Sequence, residues 1–209
     1  MTTTVVQGSP EWFEARLGRV TASRVADVIA KTKTGYSTSR ENYMVELALE
    51  RLTGQRQEFY TNDAMRWGTD TEPLARAAYE AHTGAIVEEV GLIPHPTIEM
   101  AGASPDGLVG RDGQIEIKCP NSATHLKTLR SKSPDSKYVT QMQWQLACTG
   151  RAWCDFVSFD PRMPAGLQLF VTRIERDPKT IAQLEGEVIS FLEEVAATVL
   201  QLMTIKEAA

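Results

Sequence analysis

The alternation of apolar and polar positions is clearest from Gln114 to Lys118, where Ile115 and Ile117 separate the polar residues Gln114, Glu116 and Lys118. A period of two predicts a β-strand whose successive side chains point to opposite faces of a sheet. Glycines just upstream predict a turn, so this strand should be the second arm of a hairpin. We expect one face to join the core and the other to carry Glu116 and Lys118 side by side.

Helix-like and strand-like stretches occupy the rest of the chain. Apolar spacing predicts helices at 10–17, 21–29, 38–53, 70–82, 122–129, 138–149 and from 178 onward. Strands are predicted at 86–90, 92–94, 100–103, 153–159 and 167–174, with a loop at 55–62. Ser9 and Pro10 favour a helix start, Thr38 and Glu41 form a predicted capping box, and Glu72 falls in the first turn of the 70–82 helix. The final helix has an apolar stripe over 181–202 that either closes the core or forms a subunit interface.

Length and composition favour one ordinary domain. With 209 residues, 42% of them apolar, the chain suits a single domain over 1–209 that buries a substantial core. No stretch approaches the roughly 18 uninterrupted apolar residues of a membrane span, and the N-terminal residues lack the basic and apolar regions of a secretory signal. We therefore expect a cytoplasmic protein with no membrane partner.

Cysteine count and charge narrow the chemistry. The three cysteines, Cys119, Cys148 and Cys154, fit no zinc spacing and are too few for the four thiolates of an iron–sulfur cluster, so reduced thiols are expected. The histidines are scattered and give little support to histidine catalysis. A net charge of −5 argues mildly against a protein that coats nucleic acid. Basic groups confined to a channel, together with bound metal, would remove that objection.

Two carboxylates and one amine are predicted to meet beside the hairpin. Asp106 lies in a turn upstream of Glu116 and Lys118. Carboxylate oxygens are the ligands that Mg²⁺ takes, with water and substrate phosphate completing its shell. Lys118 could orient an attacking water or offset charge on an attacked phosphodiester. Asp106 followed by Glu116-Ile117-Lys118 matches the PD-(D/E)xK nuclease pattern, although the spacing alone also fits a solvated cross-strand charge pair.

Other polar residues have both a functional and a structural interpretation. Arg16 and Ser23 flank a tight link between two predicted helices, where they could hold a phosphate or simply cap helix ends. Glu72 is either a further carboxylate directed at metal or an acid favourably placed near a helix N-terminus. Gln141 and Gln145 share a helix face, but glutamine is also an ordinary residue of exposed helix surfaces. Spacing alone leaves these alternatives open.

Ordered blocks along most of the chain resemble the bacteriophage lambda exonuclease family, the YqaJ-type viral recombinase nucleases. The matching blocks are Trp12, Arg16-Leu17-Gly18, Thr21-Ala22-Ser23, Trp67-Gly68, Glu72, Ser104-Pro105-Asp106-Gly107-Leu108, Glu116-Ile117-Lys118-Cys119-Pro120, Tyr138 with Gln141 and Gln143, Asp160-Pro161-Arg162-Met163, and Ile174-Glu175-Arg176-Asp177. The resemblance implies an α/β fold with a restriction-endonuclease-like core, in which a central mixed β-sheet is flanked by helices.

The resemblance also implies catalytic roles. Asp106 and Glu116 would ligate two Mg²⁺ ions, with Glu72 and the carbonyl oxygen of Ile117 as further ligands, and Mn²⁺ is a possible substitute. Lys118 would assist the attacking water.

A second group of residues aligns with DNA contacts in the family. Residues that would hold a 5′-terminal phosphate are Arg16, Ser23, Ser104 and Gln141. Met65 occupies the place of an apolar wedge at the DNA strand junction. Lys33 stands where a relative carries arginine, and it lacks the planar fork of that residue.

The leading hypothesis is a metal-dependent 5′→3′ exonuclease that degrades one strand of double-stranded DNA from 5′-phosphorylated ends. Family members form ring-shaped homotrimers, and the 3′ single strand would pass to a single-strand annealing protein during phage-type recombination. The resemblance places the protein in the cytoplasm of a bacterial host, as a phage or prophage product. A site-specific or nicking endonuclease on the same core, and a catalytically silent DNA-end-binding protein, are the competing hypotheses.

Overall fold

The computed structural model describes residues 5–56 and 62–207, so most of the predicted loop at 55–62 lies outside the described residues. Its α-helices are α1 Pro10–Arg16, α2 Val25–Val28, α3 Thr38–Thr53, α4 Asp63–Thr83, α5 Ser122–Ser131, α6 Ser136–Thr149 and α7 Pro178–Glu207. Its strands are β1 Val20–Thr21, β2 Lys31–Thr32, β3 Gly35–Tyr36, β4 Val87–Glu88, β5 Ile93–Pro94, β6 Ala101–Ala103, β7 Gly107–Val109, β8 Gly113–Lys118, β9 Trp153–Phe159 and β10 Leu169–Glu175.

The main sheet has the strand order β10-β9-β8-β7-β4 and is mixed. Strand β8 runs parallel to β9 and antiparallel to β7, while β9 and β10 are antiparallel. A smaller sheet has the order β1-β6-β5, and β2 pairs with β3 in a hairpin. The predicted α/β fold with a central mixed sheet is confirmed.

Helices cover both faces of β8 and β9. On one face, Ala75 and Tyr79 of α4 pack in a cluster with Ile115, Ile117 and Val157. On the other face, residues of α6 pack against β9 and α7 in a second cluster that contains Met142, Leu146, Cys154, Phe156 and Ile181. Strand β8 is therefore buried on both faces, including the one that carries Glu116.

Helix α7 runs beside α3, to which it is tied by an ion pair of Arg40 with Glu194 and by stacked rings of Tyr43 and Phe191. The predicted stripe is buried at Ile181, Leu184, Val188, Phe191 and Val195, but Leu202 at its far end is exposed. By length and hydropathy, the stretch Pro178–Ile205 could also cross a membrane. In the structure 17% of its apolar window is buried, and the buried residues of α7 belong to core clusters of the domain.

Several predicted boundaries are wrong. Helix α4 begins at Asp63 because the side chain of Asn62 accepts the Met65 N–H, so Glu72 lies in the middle of the helix and not in its first turn. The cap of α3 is Ser37 and not Thr38. At 21–29 the chain forms one 3₁₀ turn and the short α2, and neither is capped by a side chain, so Ser23 is not a helix cap.

Candidate active site

The candidate site lies where β8 ends. Strand β7 pairs with β8 only as far as the Gly107–Ile115 pair. Beyond that pair Asp106 occupies the edge of β8: its N–H donates to the Ile115 carbonyl at 3.2 Å, and its Oδ2 accepts the Ile117 N–H at 2.6 Å. The carboxylate is therefore fixed against the main chain of β8.

Glu116 is fully buried beneath α6. Its Oε1 accepts a hydrogen bond from Gln141 Nε2 at 2.6 Å, and its Oε2 accepts one from Gln145 Nε2 at 2.5 Å. The ammonium of Lys118 pairs with the same Oε1. Because Gln141 and Gln145 are one helical turn apart, α6 presents two amide donors to one carboxylate.

The charges at this site oppose one another. Burial and the Glu116 carboxylate raise the pKa of Asp106 well above its ordinary value, although Lys118 acts to lower it. Burial alone would lower the pKa of Lys118, but Glu116 and Asp106 raise it, so the amine stays protonated. Buried Glu116 and partly buried Asp106 thus share one ammonium, and a bound cation would offset the remaining repulsion.

Glu72 approaches the same centre from α4. Burial raises its pKa, Arg76 and Lys118 lower it, and Glu116 raises it further. Its Oε1 accepts a hydrogen bond from Arg76 Nη2 at 2.8 Å, and Arg76 also pairs with Glu89. In the part of the chain that the structure describes, no three His, Cys, Asp or Glu side chains stand close enough to form a preassembled ion site. Arg76 occupies only Oε1, so Oε2 of Glu72 remains the oxygen that could reach a metal.

The oxygen atoms at the end of β8 nevertheless suit a hard divalent cation. In a strand, the N–H and C=O of one residue point to the same side. Since the Ile117 N–H meets Asp106, the Ile117 carbonyl oxygen faces the same side of β8. Carboxylates and carbonyl oxygens are the ligands that Mg²⁺ accepts. The residues that could hold a metal are thus Asp106, Glu116 and Ile117. Glu72 could join them through Oε2, the oxygen that Arg76 does not occupy.

A second cluster surrounds Arg16. Ser104 Oγ accepts from Trp12 Nε1 at 3.0 Å and from Arg16 Nη1 at 3.4 Å, and Arg16 Nη2 donates to Thr21 Oγ1 at 3.3 Å. The guanidinium lies over the Trp12 ring, 4.1 Å from its centroid. Burial lowers the pKa of Arg16 to about 10, so it remains a cation at neutral pH. Three neutral partners and one cation form a site suited to an anion.

A cavity of about 210 Å³ opens beside this cluster. Exposed Ser23 lines it, and so does Met65, of which 51% is exposed. Lys33 lies at the tip of the β2–β3 hairpin and is exposed. Gln141 makes its hydrogen bond with Glu116, at the carboxylate site. The structure therefore groups Arg16, Ser104, Ser23 and Met65, and it places Gln141 in the other cluster.

The two clusters adjoin each other along the chain. Ser104 belongs to the Arg16 cluster and Asp106 to the carboxylates, and two residues of extended chain span about 7 Å. An anion held at Ser104 would therefore lie close to the carboxylate site.

The sequence places Gln145 on the same helix face as Gln141 but assigns it no role at the site. It is fully buried and donates to Glu116, whereas glutamine on a helix is usually exposed. Its spacing of four from Gln141 was the available signal. Only the packing of α6 over β8 shows that both side chains reach Glu116.

Comparison with known proteins gives consistent results. The model of the YqaJ-like viral recombinase domain matches residues 11–152. An alkaline exonuclease from Laribacter hongkongensis, LHK-Exo, is 55% identical, with a TM-score of 0.90 over 96% of this chain and 100% of that chain. The same enzyme has been solved in complex with dAMP, with equal similarity. No protein with a curated description matches the sequence.

A more distant structure shares the fold. The phage-related exonuclease from Haemophilus somnus 129PT is 17% identical, with a TM-score of 0.72 over 88% of this chain and 96% of that chain.

Proposed function

The chain belongs to the YqaJ-like viral recombinase family, and from that premise we propose that it is a metal-dependent exonuclease acting on double-stranded DNA. It degrades one strand in the 5′→3′ direction from a 5′-phosphorylated end and leaves a 3′ single strand. The similarity to an alkaline exonuclease, at 55% identity over nearly the whole of both chains, supports the exonuclease assignment.

One observation carries the proposal: the acids and the amine at the end of β8 lie beside the cluster around Arg16. Ser104 and Asp106 belong to different clusters but are only two residues apart. A terminal phosphate held by Arg16 and Ser104 would place the first phosphodiester bond at Asp106 and Glu116. Removal of single nucleotides follows from that spacing, and the complex of LHK-Exo with dAMP, a mononucleotide, is in keeping with it.

The reaction is hydrolysis of a phosphodiester by water. Lys118 is held beside Glu116 and orients the attacking water, while its charge offsets the negative charge that builds on the attacked phosphate. Gln141 and Gln145 hold Glu116 in place. Two Mg²⁺ ions, or Mn²⁺, would be held by Asp106, Glu116, the Ile117 carbonyl oxygen and Glu72. When bound, such ions supply Lewis-acid stabilisation of the phosphate charge.

The proposal extends to assembly and partners. Exposed apolar side chains on α3 and near the end of α7 are of the kind that subunit contacts cover, and they support self-association. These side chains are Val45, Leu49, Leu52, Leu200, Met203 and Ile205. The homotrimer itself is proposed from the family resemblance. The single-stranded product would pass to a single-strand annealing protein in the cytoplasm of a bacterial host.

Digestion of duplexes that differ only at their ends tests the proposal. In Mg²⁺, a duplex with 5′-phosphates should lose nucleotides from each 5′ end and retain its 3′ labels, and chelation of the metal should stop the reaction. A covalently closed circle should survive. Rapid loss of the circle would instead indicate an endonuclease, and end binding without any cleavage would indicate a silent binder.

Arg16→Ala tests the terminal-phosphate site separately. We expect the preference for 5′-phosphate over 5′-hydroxyl ends to fall by roughly tenfold or more, because a charged hydrogen bond is worth about 1.5–3 kcal/mol. Arg111→Gln removes one positive charge from the exposed β7–β8 turn and is the matched control. An unchanged preference in Arg16→Ala would remove Arg16 from the pocket.

A further inference from the structure

A fixed arginine, Arg162, stands beside the carboxylate site and belongs to neither of the two clusters. Arg162 follows β9, and Pro120 follows β8, so both lie at the carboxyl ends of two parallel strands, where ligands of α/β sheets commonly bind. Arg162 Nη2 donates to the Pro120 carbonyl oxygen at 3.1 Å. Pro120 is only two residues beyond Lys118, so the guanidinium lies next to the reaction centre.

Besides the Pro120 carbonyl oxygen, two side chains hold this guanidinium in place. Buried Asp160 accepts from Nε at 2.7 Å and from Nη2 at 3.1 Å, and the Trp67 ring lies beneath it, 4.2 Å from centroid to Cζ. Trp67 comes from α4, the helix that also carries Glu72. The arrangement orients a planar donor that would otherwise lose side-chain entropy on binding.

The fixed guanidinium still has donors to offer. Its Nε and Nη2 are engaged, and Nη1 has no hydrogen-bond partner among the described residues, while the side chain remains 45% exposed. The Trp67 Nε1 is buried and has no acceptor in the same described part of the chain.

The Arg162–Asp160 pair is neutral as a whole, so its contact with an anion would act at short range, through directed hydrogen bonds.

We propose that Arg162 binds a backbone phosphate of the DNA strand being cut, adjacent to the cleaved bond, and thereby sets the position of that strand. The inference rests on the proposed nuclease function. After the cleaved phosphate, the neighbouring phosphate on the same strand is the nearest anion of the substrate. Asp160 and Trp67 are positioning residues, since they act through Arg162.

A coupling experiment between protein and DNA tests this contact. Single methylphosphonates, which remove one phosphate charge, are placed in turn at the positions flanking the first bond to be cut. Each duplex is digested by the wild type, by Arg162→Lys and by the double variant Asp160→Asn/Arg162→Gln. The double variant removes both members of the pair, so that no buried acid is left unpaired. Arg111→Gln, in the exposed β7–β8 turn, is the control for the loss of an arginine elsewhere on the surface.

On unmodified DNA, we expect kcat/KM of the double variant to be about tenfold below that of the wild type. Arg162→Lys should lose part of this factor because it keeps the charge but not the fork. At one flanking position, methylphosphonate should slow the wild type and Arg111→Gln about tenfold and slow the double variant no further. The salt dependence of KM should change little.

Additive losses for the double variant at every DNA position would overturn the proposal and leave Arg162 a purely structural residue. Failure of the wild type to cut any duplex end would refute the proposed function itself. The two outcomes are therefore distinguishable. Thermal unfolding of each variant identifies losses that come from misfolding.

Discussion

Glu116 and Asp155 are buried acids on the neighbouring strands β8 and β9, but they face opposite sides of the sheet and have partners of different kinds. Asp155 accepts from Tyr79 Oη at 2.9 Å and from Arg173 Nε and Nη2 at 2.8 and 3.0 Å, so one guanidinium cancels its charge. Glu116 has two neutral amides and an ammonium that also serves Asp106.

The contrast separates an acid whose charge is fully compensated from one whose charge is not. A buried carboxylate with its own guanidinium needs no further cation. Acids that share one ammonium repel each other, and such incompletely compensated groups are typical of catalytic and metal-binding sites. Burial alone would not have distinguished Glu116 from Asp155.

The largest expected effect is on catalysis. Lys118→Ala should reduce cleavage of 5′-phosphorylated duplex by about a thousandfold or more, because the charge that stabilises the attacked phosphate is lost. Binding to DNA ends, measured by fluorescence anisotropy, should survive. Loss of binding together with cleavage would point to misfolding, which circular dichroism would reveal.

Removing the guanidinium that pairs with Asp155 should affect folding and not catalysis. Arg173→Met leaves Asp155 buried without a cation, and we expect a loss of about 2–4 kcal/mol in the free energy of unfolding, measured with urea. The low end of this range is favoured because the guanidinium is half-exposed. Cleavage per folded molecule should stay within about twofold of wild type.

Asp155→Asn/Arg173→Met is the companion variant to Arg173→Met. Removing the charge of Asp155 should recover part of the lost stability. A fall in cleavage as large as that of Lys118→Ala, in either variant, would erase the distinction between the two acids.

A third acid, Asp160, sharpens the comparison because it lies near the active site yet has its own guanidinium. Burial acts to raise its pKa, but hydrogen bonds from Arg162 and Ser122 lower it to about 2. The folded-state pKa of Asp160 is below the unfolded value. Its ionised carboxylate therefore stabilises the fold above about pH 4, and this stabilisation is lost as the pH falls towards 2. Asp160→Asn should cost on the order of 1–2 kcal/mol at pH 7.

The check for Asp160→Asn is urea unfolding at a series of pH values. The difference from wild type should shrink as the pH is lowered below about 4, for as long as both proteins remain folded. A difference in unfolding free energy that does not change with pH would show that the negative charge of Asp160 does not stabilise the fold.

The smallest expected effect is on the stability of Asp106→Asn. Asparagine keeps an oxygen for the Ile117 N–H and removes the repulsion with Glu116. Without divalent metal, we expect its unfolding free energy to match or exceed that of wild type by up to about 1 kcal/mol, although cleavage is lost. A clear destabilisation in metal-free buffer would mean that Asp106 is compensated like Asp155.

The sequence was informative where the signals are local. The alternation over β8 and the glycines before it depend on neighbouring residues, so the hairpin and the side-by-side placement of Glu116 and Lys118 are confirmed. Gly68 and Pro73 both disfavour helix, which is why the start of α4 was placed too late. Packing of Ala75 and Tyr79 against the sheet outweighs those preferences.

The site was predictable only in part, because its partners come from distant segments. The Asp106, Glu116 and Lys118 pattern indicates a centre, but it does not reveal that Arg76 holds Glu72 or that Gln145 reaches Glu116. Both contacts depend on how α4 and α6 lie over β8. The metal roles of these residues remain predictions.

The attachment of Asp106 to a main-chain amide has an evolutionary consequence. Every amino acid except proline supplies that N–H, so the anchor makes no demand on the side chain at position 117. The side chain of Ile117 is constrained only by its packing beneath α4, where it is 5% exposed. Related proteins could therefore carry valine, leucine or methionine at this position and keep the same placement of the Asp106 carboxylate.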